Sequence, residues 1–386
     1  MKALLEKLSL LSLSLMLVST FSTSTALPQM LLTFQQEGYA PSQVDMLFSL
    51  PSFVIMGMLV INPCLDRFLS ERSRIILGLL VIALGGSLPV VGKTYALVVV
   101  SRVLLGVGIG LINARAISII SENYQGNERS QMLGFRGAFE VLGNTFLTVL
   151  VGFLVPLGWS WAFIVYLFAL PILLFYLLFA PKRGLVAEVV SQKPSAKFKQ
   201  KDLLYIVGLS LLAGFVININ SASSLRIPLI VDQLQLGSPR QASLILSGMM
   251  LMGILSGICF EGLLARFKKQ LITVSLLPFA LGVFMLGVAH NLWLMLIGAM
   301  LLGFWYSIVV TSVFSNVSTN IAPQLIGHAT TLVLLFCNFG GASAALVLSL
   351  FAKINPQPAF AFVIYAIISL IISLVLMFKT RFSSQK

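Results

Sequence analysis

PKRGLVAEVVSQKPSAKFKQKD, residues 181–202, is the stretch of the chain that lacks membrane character. It carries six Lys/Arg and two acids between long apolar blocks, near the middle of 386 residues. It therefore acts as a central loop between two parts, 1–180 and 203–386. The parts repeat weakly at a nearly constant offset of 200, so that 24–28 (STALP) corresponds to 224–228 (SLRIP). Such internal symmetry is typical of membrane proteins built by duplication.

The composition is that of an integral membrane protein. Hydrophobic residues make up 58% of the chain and charged residues only 10%, and so few charges cannot cover a globular surface. A helix that spans a bilayer needs about 20 apolar residues, and the strict alternation of barrel strands is missing. We predict an all-α polytopic membrane protein with twelve transmembrane helices in two pseudo-symmetric six-helix bundles. The predicted segments are 8–32, 43–63, 75–92, 95–119, 130–154, 160–180, 203–224, 241–264, 270–289, 292–315, 328–351 and 357–378.

The net charge of +13 is explained by the membrane topology and does not indicate a nucleic-acid site. If twelve helices alternate, the outer side holds only Lys93, Arg240 and Lys353, with Arg226 near it. This asymmetry is the positive-inside pattern. It predicts a multi-pass protein of the inner (plasma) membrane with both termini and the central loop in the cytoplasm. The other cations assigned to the cytoplasmic side are Lys2, Lys7, Arg67, Arg72, Arg74, Arg129, Arg266, Lys268, Lys269, Lys379, Arg381 and Lys386.

The first and seventh predicted helices carry matched polar clusters, and each cluster ends at a proline, Pro28 or Pro228. The first helix resembles a secretory signal, but its length and its counterpart in the second part predict that it is retained. Hydroxyl and amide groups at membrane depth are tolerated where they meet another helix or a wet cavity. The alternative is that the hydroxyls bond back to their own helix. The residues assigned to a substrate cavity are Ser22, Thr23, Thr25, Asn218, Asn220, Ser221 and Arg226.

Arg226 has two interpretations of its own. It contacts an anionic substrate, or its side chain extends along the helix to the membrane surface.

The turn after the second predicted helix reads NPCLDRFLSERSR, residues 62–74. It resembles the G-x-x-x-D-R-x-G-R-R turn of the major facilitator superfamily, with Asp66 and Arg67 in register and Asn62 in the glycine position. The resemblance implies a cytoplasmic gate in which Asp66 forms a charge-assisted contact with nearby helix ends in one of two alternating states. The alternative is a turn anchored at the lipid headgroups.

The corresponding turn of the second part follows Gly262, which restores the glycine, whereas Arg266 occupies the acidic position. Glu261 is expected to pair with Arg266 or Lys268. The residues assigned to the gate are Asp66, Arg67, Arg72, Glu261 and Arg266.

The fourth predicted helix contains a charge inside its apolar span. Arg102, Gly106 and Gly110 resemble the R-x-x-x-G-x-x-x-G signature of proton-coupled members of the superfamily. A cation at this depth costs about 2.5 to 3.5 kcal/mol on insertion scales, so Arg102 is expected to face a cavity or an acid. Gly106 and Gly110 form a small face that lets a neighbouring helix approach closely.

The fifth predicted helix carries Arg136 and Glu140, which share one helix face because they lie four residues apart. Glu140 is the one acid well within any predicted span, and Arg102 falls within roughly 5 Å of it in depth. Two interpretations stay open: Glu140 binds protons or substrate, or it forms a static ion pair with Arg136 or Arg102. The stretch 137–143 lacks the proline that drug/proton antiporters of the superfamily carry here.

Small residues in the second part predict close helix contacts and hinges at Gly253, Gly257, Gly340 and Gly341. Cys64, Cys259 and Cys337 are isolated and have no spacing for a metal or redox site.

The resemblance implies a secondary transporter that works by alternating access. The sequence has no nucleotide-binding fingerprint and needs no cofactor, so we expect a gradient to drive transport, with protons, a small-molecule substrate and the lipid bilayer as partners. With 28 Phe and 14 Met, an adaptable cavity suits amphipathic molecules, which favours efflux of drug-like compounds or metabolites. Uptake of a small polar nutrient is the alternative, and a channel or non-transporting receptor is a second. No enzyme motif lies in the spans, and we expect a monomer.

Overall fold

The computed structural model describes residues 2–65, 68–180, 200–322 and 325–383, and within these ranges it contains helices and no strand. Ten of the described helices are long and apolar enough to cross a membrane. A bent pair of helical pieces, Leu4–Met16 and Ser19–Gln36, supplies an eleventh span, and the apolar helix Leu271–Gly287 is shorter. These elements correspond to the twelve predicted segments, so the all-α polytopic fold class is confirmed.

The chain divides into two compact units, Met1–Gln192 and Lys193–Lys386. The helices of the first unit are α1 Lys2–Ser12, α2 Leu27–Gln36, α3 Pro41–Leu65, α4 Glu71–Gly86, α5 Leu88–Val91, α6 Tyr95–Asn123, α7 Gly126–Leu154 and α8 Ala169–Phe179. The helices of the second unit are α9 Gln200–Gln233, α10 Pro239–Phe267, α11 Leu271–Gly287, α12 Leu292–Asn320, α13 Ile326–Ile354 and α14 Phe360–Ser383.

The first predicted segment is not one continuous α-helix. Between α1 and α2 the chain forms three short 3₁₀ turns, and the two pieces of this broken segment meet at 46°. Ser12 and Ser19 donate to the carbonyls three residues before them, and such local bonds compete with the α-helical pattern. The sixth predicted segment likewise begins as a 3₁₀ helix, Trp159–Phe168, before α8.

The seventh predicted segment is longer than the sequence indicated. We predicted that it ends at residue 224, but α9 continues through Pro228 to Gln233. The residues on both sides of Pro228 are buried, and packing of this kind sustains a helix in spite of the hydrogen bond that proline cannot donate. Arg226 therefore lies inside a buried helix rather than near its end.

Helix contacts repeat from one unit to the other. In the first unit α3 and α4 both pack against α6, and the broken segment packs against α7. In the second unit α10 and α11 both pack against α12, and α9 packs against α13. The internal duplication seen in the sequence is thus also a duplication of packing.

The predicted small face of α6 makes the closest contacts with α3. A Cβ atom on Gly106 would lie 2.7 Å from the Pro51 carbonyl oxygen, and one on Gly110 would lie 2.5 Å from the Met58 Cβ. Glycine at both positions lets the two helix backbones approach, which is how small residues support packing in membranes.

The four glycines predicted to pack in the second unit differ in their surroundings. Gly340 and Gly341 are buried in α13, and a Cβ on Gly340 would overlap the Gly214 carbonyl of α9. Gly253 faces only the Ser307 hydroxyl. The predicted close packing at Gly257 is wrong, because Gly257 is exposed and a Cβ there would meet no atom within 4 Å.

This difference makes a stability test. We expect Gly340→Ala to lower the melting temperature of the purified protein, because the added methyl must push α13 away from α9, and overpacking of this kind costs about 1 to 3 kcal/mol. Gly257→Ala is the matched control and should leave the melting temperature unchanged or slightly higher, since alanine is the better helix former. Equal melting temperatures for the two variants would contradict the close contact.

Candidate functional site

Arg102 is the most deeply buried cation of the fourth predicted segment, with 1% of its surface exposed. It lies seven residues after Tyr95, the first residue of α6, which places it about 10 Å along the helix. Its Nη1 donates to the Tyr166 hydroxyl at 3.2 Å, and its Cζ lies 4.3 Å from the centroid of the Phe163 ring. Arg102 does not pair with Glu140. Of the two ion pairs predicted for Glu140, with Arg136 or with Arg102, the one with Arg102 is therefore wrong.

The Tyr166 hydroxyl links Arg102 to the broken first segment. Tyr166 donates to the carbonyl oxygen of Ser19 at 3.0 Å. Three residues further on, Ser22 donates to Asn144 Oδ1 of α7 at 2.6 Å. The predicted cavity residue Ser22 thus bonds across to another helix, whereas Ser19 bonds back to its own.

Other hydroxyls of the broken segment have no partner of their own. Thr23 and Thr25 are buried, and their hydroxyl oxygens have no hydrogen-bond partner among the described residues. The same holds for Ser14 and Ser24. A buried hydroxyl without a partner is costly, so this segment combines irregular backbone with unused hydrogen-bonding capacity.

Glu140 pairs with Arg136 on its own helix. Arg136 Nη2 lies 2.6 Å from Glu140 Oε1, and the exposed fractions of the two side chains are 15% and 20%. Arg136 Nη2 also lies 3.4 Å from the Asn113 Oδ1 of α6. The pair is therefore held between two helices and retains some access to its surroundings.

Asn218 forms the centre of the polar cluster in the second unit. Its Nδ2 donates to the Gly340 carbonyl at 3.0 Å and to Ser343 Oγ at 3.1 Å, and its Oδ1 accepts from the Tyr365 hydroxyl at 2.6 Å. These bonds connect α9, α13 and α14. The amide nitrogen donates two of these bonds and the amide oxygen accepts the third. Asn218 therefore acts here as a bridge between helices.

The remaining cavity residues of α9 have different surroundings. Arg226 is buried, with 7% of its surface exposed, and interacts electrostatically with Tyr365. Its predicted extension to the membrane surface is therefore wrong. Ser221 is buried and Asn220 is partly exposed, while Ser224 bonds back to the Asn220 carbonyl.

The structure describes only part of the predicted gate. Asp66 and Arg67 lie outside the described residues. Arg72, Glu261 and Arg266 are exposed. Glu261 forms no ion pair with Arg266 or Lys268 in the part of the chain that the structure describes. A residue five positions along a helix lies on a different face, and one seven positions along lies two turns, about 10 Å, away.

Arg74, which the sequence placed among the cations of the cytoplasmic side, is buried, with 1% of its surface exposed. Its Nη1 lies 3.5 Å from the Asn62 carbonyl, and the Asn62 side chain donates to the Gly110 carbonyl at 3.0 Å. Asn62, which occupies the glycine position of the family turn, thus connects α3 to α6.

Sequence reasoning missed three side chains that complete these clusters: Tyr166, Asn144 and Tyr365. A signal for them was present in the repeat. Residues with corresponding roles lie 199 positions apart in three pairs: Tyr166 with Tyr365, Ser19 with Asn218, and Asn144 with Ser343. It also missed Asp45 of α3, which is 3% exposed and engaged in other contacts.

A separate groove lies at the first turns of α10 and α12. Its volume is about 470 Å³, and it contains none of the predicted site residues. Its lining residues are Gln241, Leu244, Ile245, Leu292, Trp293 and Leu296. Within the described ranges no group of three or more His, Cys, Asp or Glu side chains is arranged to hold a metal ion.

Solved transporter structures share this fold. The chain has 15% identity with a D-xylose-proton symporter over 97% of each chain, with a TM-score of 0.73. It has 15% identity with the nucleoside transporter NupG, covering 96% of this chain and 98% of that one, with a TM-score of 0.73. It has 14% identity with the peptide transporter POT, covering 96% and 93%, with a TM-score of 0.77. Identities this low show a common fold only.

A search of curated protein sequences finds no match. A family profile described as Major Facilitator Superfamily matches residues 10–257 and again residues 209–386. Together the two matches cover most of the chain, including the helix-4 motif and both polar clusters. The chain therefore belongs to the major facilitator superfamily of membrane transporters.

Proposed function

We propose that this transporter couples the movement of a small organic solute to that of protons, with Glu140 as the group that binds and releases the proton. The observation that carries the proposal is the Arg136–Glu140 pair at 2.6 Å, which is largely buried within a membrane span yet retains 15% and 20% exposure. Burial disfavours the charged carboxylate and the neighbouring cation favours it, so a small change in their separation shifts the proton equilibrium.

Asn113 gives the pair a second arrangement. Arg136 already lies 3.4 Å from the Asn113 Oδ1. When Glu140 is protonated, Arg136 keeps this contact and loses its charged partner, so it becomes available to an acceptor on the solute. Proton binding and solute binding are then linked through one side chain.

The direction of transport is proposed to be outward, with drug-like or metabolite molecules as substrates. The abundance of Phe and Met supports an adaptable, apolar-lined path. Uptake of a small polar nutrient is the second candidate, and it is favoured by the buried hydroxyls of Thr23 and Thr25, to which no described residue forms a hydrogen bond. One solved structure with this fold is that of a D-xylose-proton symporter, and proton coupling can drive transport in either direction.

We further propose that both termini lie in the cytoplasm, on the basis of the charge distribution, and that the protein is a monomer in the plasma membrane. The gate on the cytoplasmic side is proposed to include Asp66, Arg67, Arg72, Glu261 and Arg266. The burial of Arg74 beside Asn62 adds a buried cation to this region.

Proteoliposomes with an imposed pH gradient test the proposal. Antiport accumulates solute in vesicles with an acidic lumen, whereas symport accumulates it in vesicles with an alkaline lumen, and this holds for either orientation of the protein. A panel of labelled metabolites and amphipathic drugs is compared with protein-free vesicles to remove passive distribution. Gradient-driven accumulation supports proton coupling. Equal flux with and without the gradient, at equal membrane potential, would show uncoupled transport and overturn it.

A further inference from the structure

The guanidinium group of Arg102 presents one edge that no described residue binds. Nη1 is used by Tyr166, and the ring of Phe163 covers one face. Nε and Nη2 are buried and have no hydrogen-bond partner among the residues that the structure describes. Arg102 itself is 1% exposed, so bulk water does not compensate these two donors.

The two unused donors have a defined shape. Nε–H and Nη2–H lie on the same edge of the planar group and point in parallel. This fork matches the two oxygens of a carboxylate, which accepts one hydrogen bond on each. A neutral group with one acceptor oxygen satisfies only one of the two donors, so the edge discriminates by charge and by geometry.

No described residue of its unit forms an ion pair with Arg102. Glu140 pairs with Arg136, and Glu128 pairs with Lys7. Asp45 is also engaged in an interaction, and Arg102 takes part in no ion pair with any described residue. A buried cation without a paired anion is strongly unfavourable in a membrane, and an anionic ligand removes this cost when it binds.

The edge is held in place before any ligand arrives. The Tyr166 hydroxyl accepts from Arg102 and donates to the Ser19 carbonyl at 3.0 Å, and both tyrosine and serine are buried. The cation–π contact with Phe163 at 4.3 Å fixes the plane of the guanidinium. Donors fixed in this way bind a ligand with little further ordering cost.

We propose that the transported solute is an organic anion and that its carboxylate binds the Nε–Nη2 edge of Arg102. The proposal rests on the transport function proposed above and specifies its substrate class. It assigns to Arg102 direct contact with the carboxylate of the solute, while Glu140 binds and releases the proton beside Arg136.

Binding to the purified full-length chain in detergent tests this without any gradient. The probes are acetate, benzoate and succinate, each compared with its neutral amide at equal concentration and constant ionic strength, with the melting temperature as readout. At least one acid is expected to raise the melting temperature while its amide does not. Arg102→Lys, which keeps the charge but not the fork, should weaken that binding at least about tenfold. Arg129→Lys, an exposed cation of the same unit, is the matched control and should bind as the unaltered protein does.

Tyr166→Phe provides a second variant if Arg102→Lys does not fold. It releases Nη1 and should weaken the same acid several-fold without creating affinity for the amide. Three results overturn the proposal: no acid stabilises the protein, acid and amide stabilise it equally, or Arg102→Lys binds as tightly as Arg129→Lys. Acid binding that appears only in Glu140→Gln also overturns it, because the edge is then used by Glu140. None of these results bears on gradient-driven flux, so failure here is distinct from failure of proton coupling.

Discussion

Replacing Glu140 with glutamine abolishes pH-gradient-driven accumulation of solute in proteoliposomes, to the level of protein-free vesicles, while exchange of labelled for unlabelled solute continues. This is the largest effect we expect. Glutamine keeps the size and a hydrogen-bond acceptor for Arg136, whose Nη2 lies 2.6 Å from the carboxylate. It cannot bind or release a proton in the accessible pH range, so solute movement is no longer coupled to proton movement. The binding and passage of the solute itself are retained.

Glu37→Gln is the matched control, because Glu37 is an exposed acid outside the proposed gate and cavity and forms no ion pair within the described ranges. It should accumulate solute as the unaltered protein does. If Glu140→Gln accumulates solute normally and only its melting temperature falls, the pair with Arg136 is a static structural contact. That outcome rules out Glu140 as the proton site.

Asn218→Ala is expected to lower the free energy of unfolding by about 2 to 4 kcal/mol, the largest loss of stability among the polar side chains considered. Alanine leaves the buried Tyr365 hydroxyl, the Gly340 carbonyl and Ser343 without the amide that they share. A buried group left unpaired costs about 1 to 3 kcal/mol, although hydrogen bonds between membrane helices average only about 0.6 kcal/mol. The expected total reflects three such bonds from one side chain.

The measurement is thermal or denaturant unfolding of the purified protein. Asn220→Ala is the control: the side chain lies two residues away on the same helix, is partly exposed, and should change stability by less than about 0.5 kcal/mol. In a double-mutant cycle, Tyr365→Phe should cost less in the Asn218→Ala background than alone, because the hydrogen bond is already lost. Additive losses would show that the 2.6 Å contact contributes nothing.

Features that depend on local sequence were predicted well. The apolar blocks around residues 181–202 led to the correct fold class, because every spanning helix must satisfy its own backbone in lipid. The R-x-x-x-G-x-x-x-G pattern identified Arg102 as a buried cation and placed Gly106 and Gly110 on a packed face, where the structure has them. In each case the relevant spacing lies within one helix.

Features that depend on which helices meet were not predictable in this way. Arg102 and Glu140 fall at similar depths, yet Arg102 bonds to Tyr166 rather than to Glu140, because depth says nothing of the direction in which a side chain points around its helix. The pair that Glu140 forms with Arg136 lies within one helix and is among the alternatives that the four-residue spacing indicated. The break in the first segment and the continuation of α9 past Pro228 also depend on packing.

The sequence by itself determined that this protein is a duplicated bundle of apolar helices with a few charges held inside it, since only helices and closed barrels satisfy the backbone in lipid and the alternation of barrel strands is missing. Only the tertiary structure decided which of those charges are paired. Contacts such as Tyr166 with Arg102 and Asn218 with Tyr365 join residues 64 and 147 positions apart, and the rotation of each helix about its axis, set by the packing of all its neighbours, brings them together.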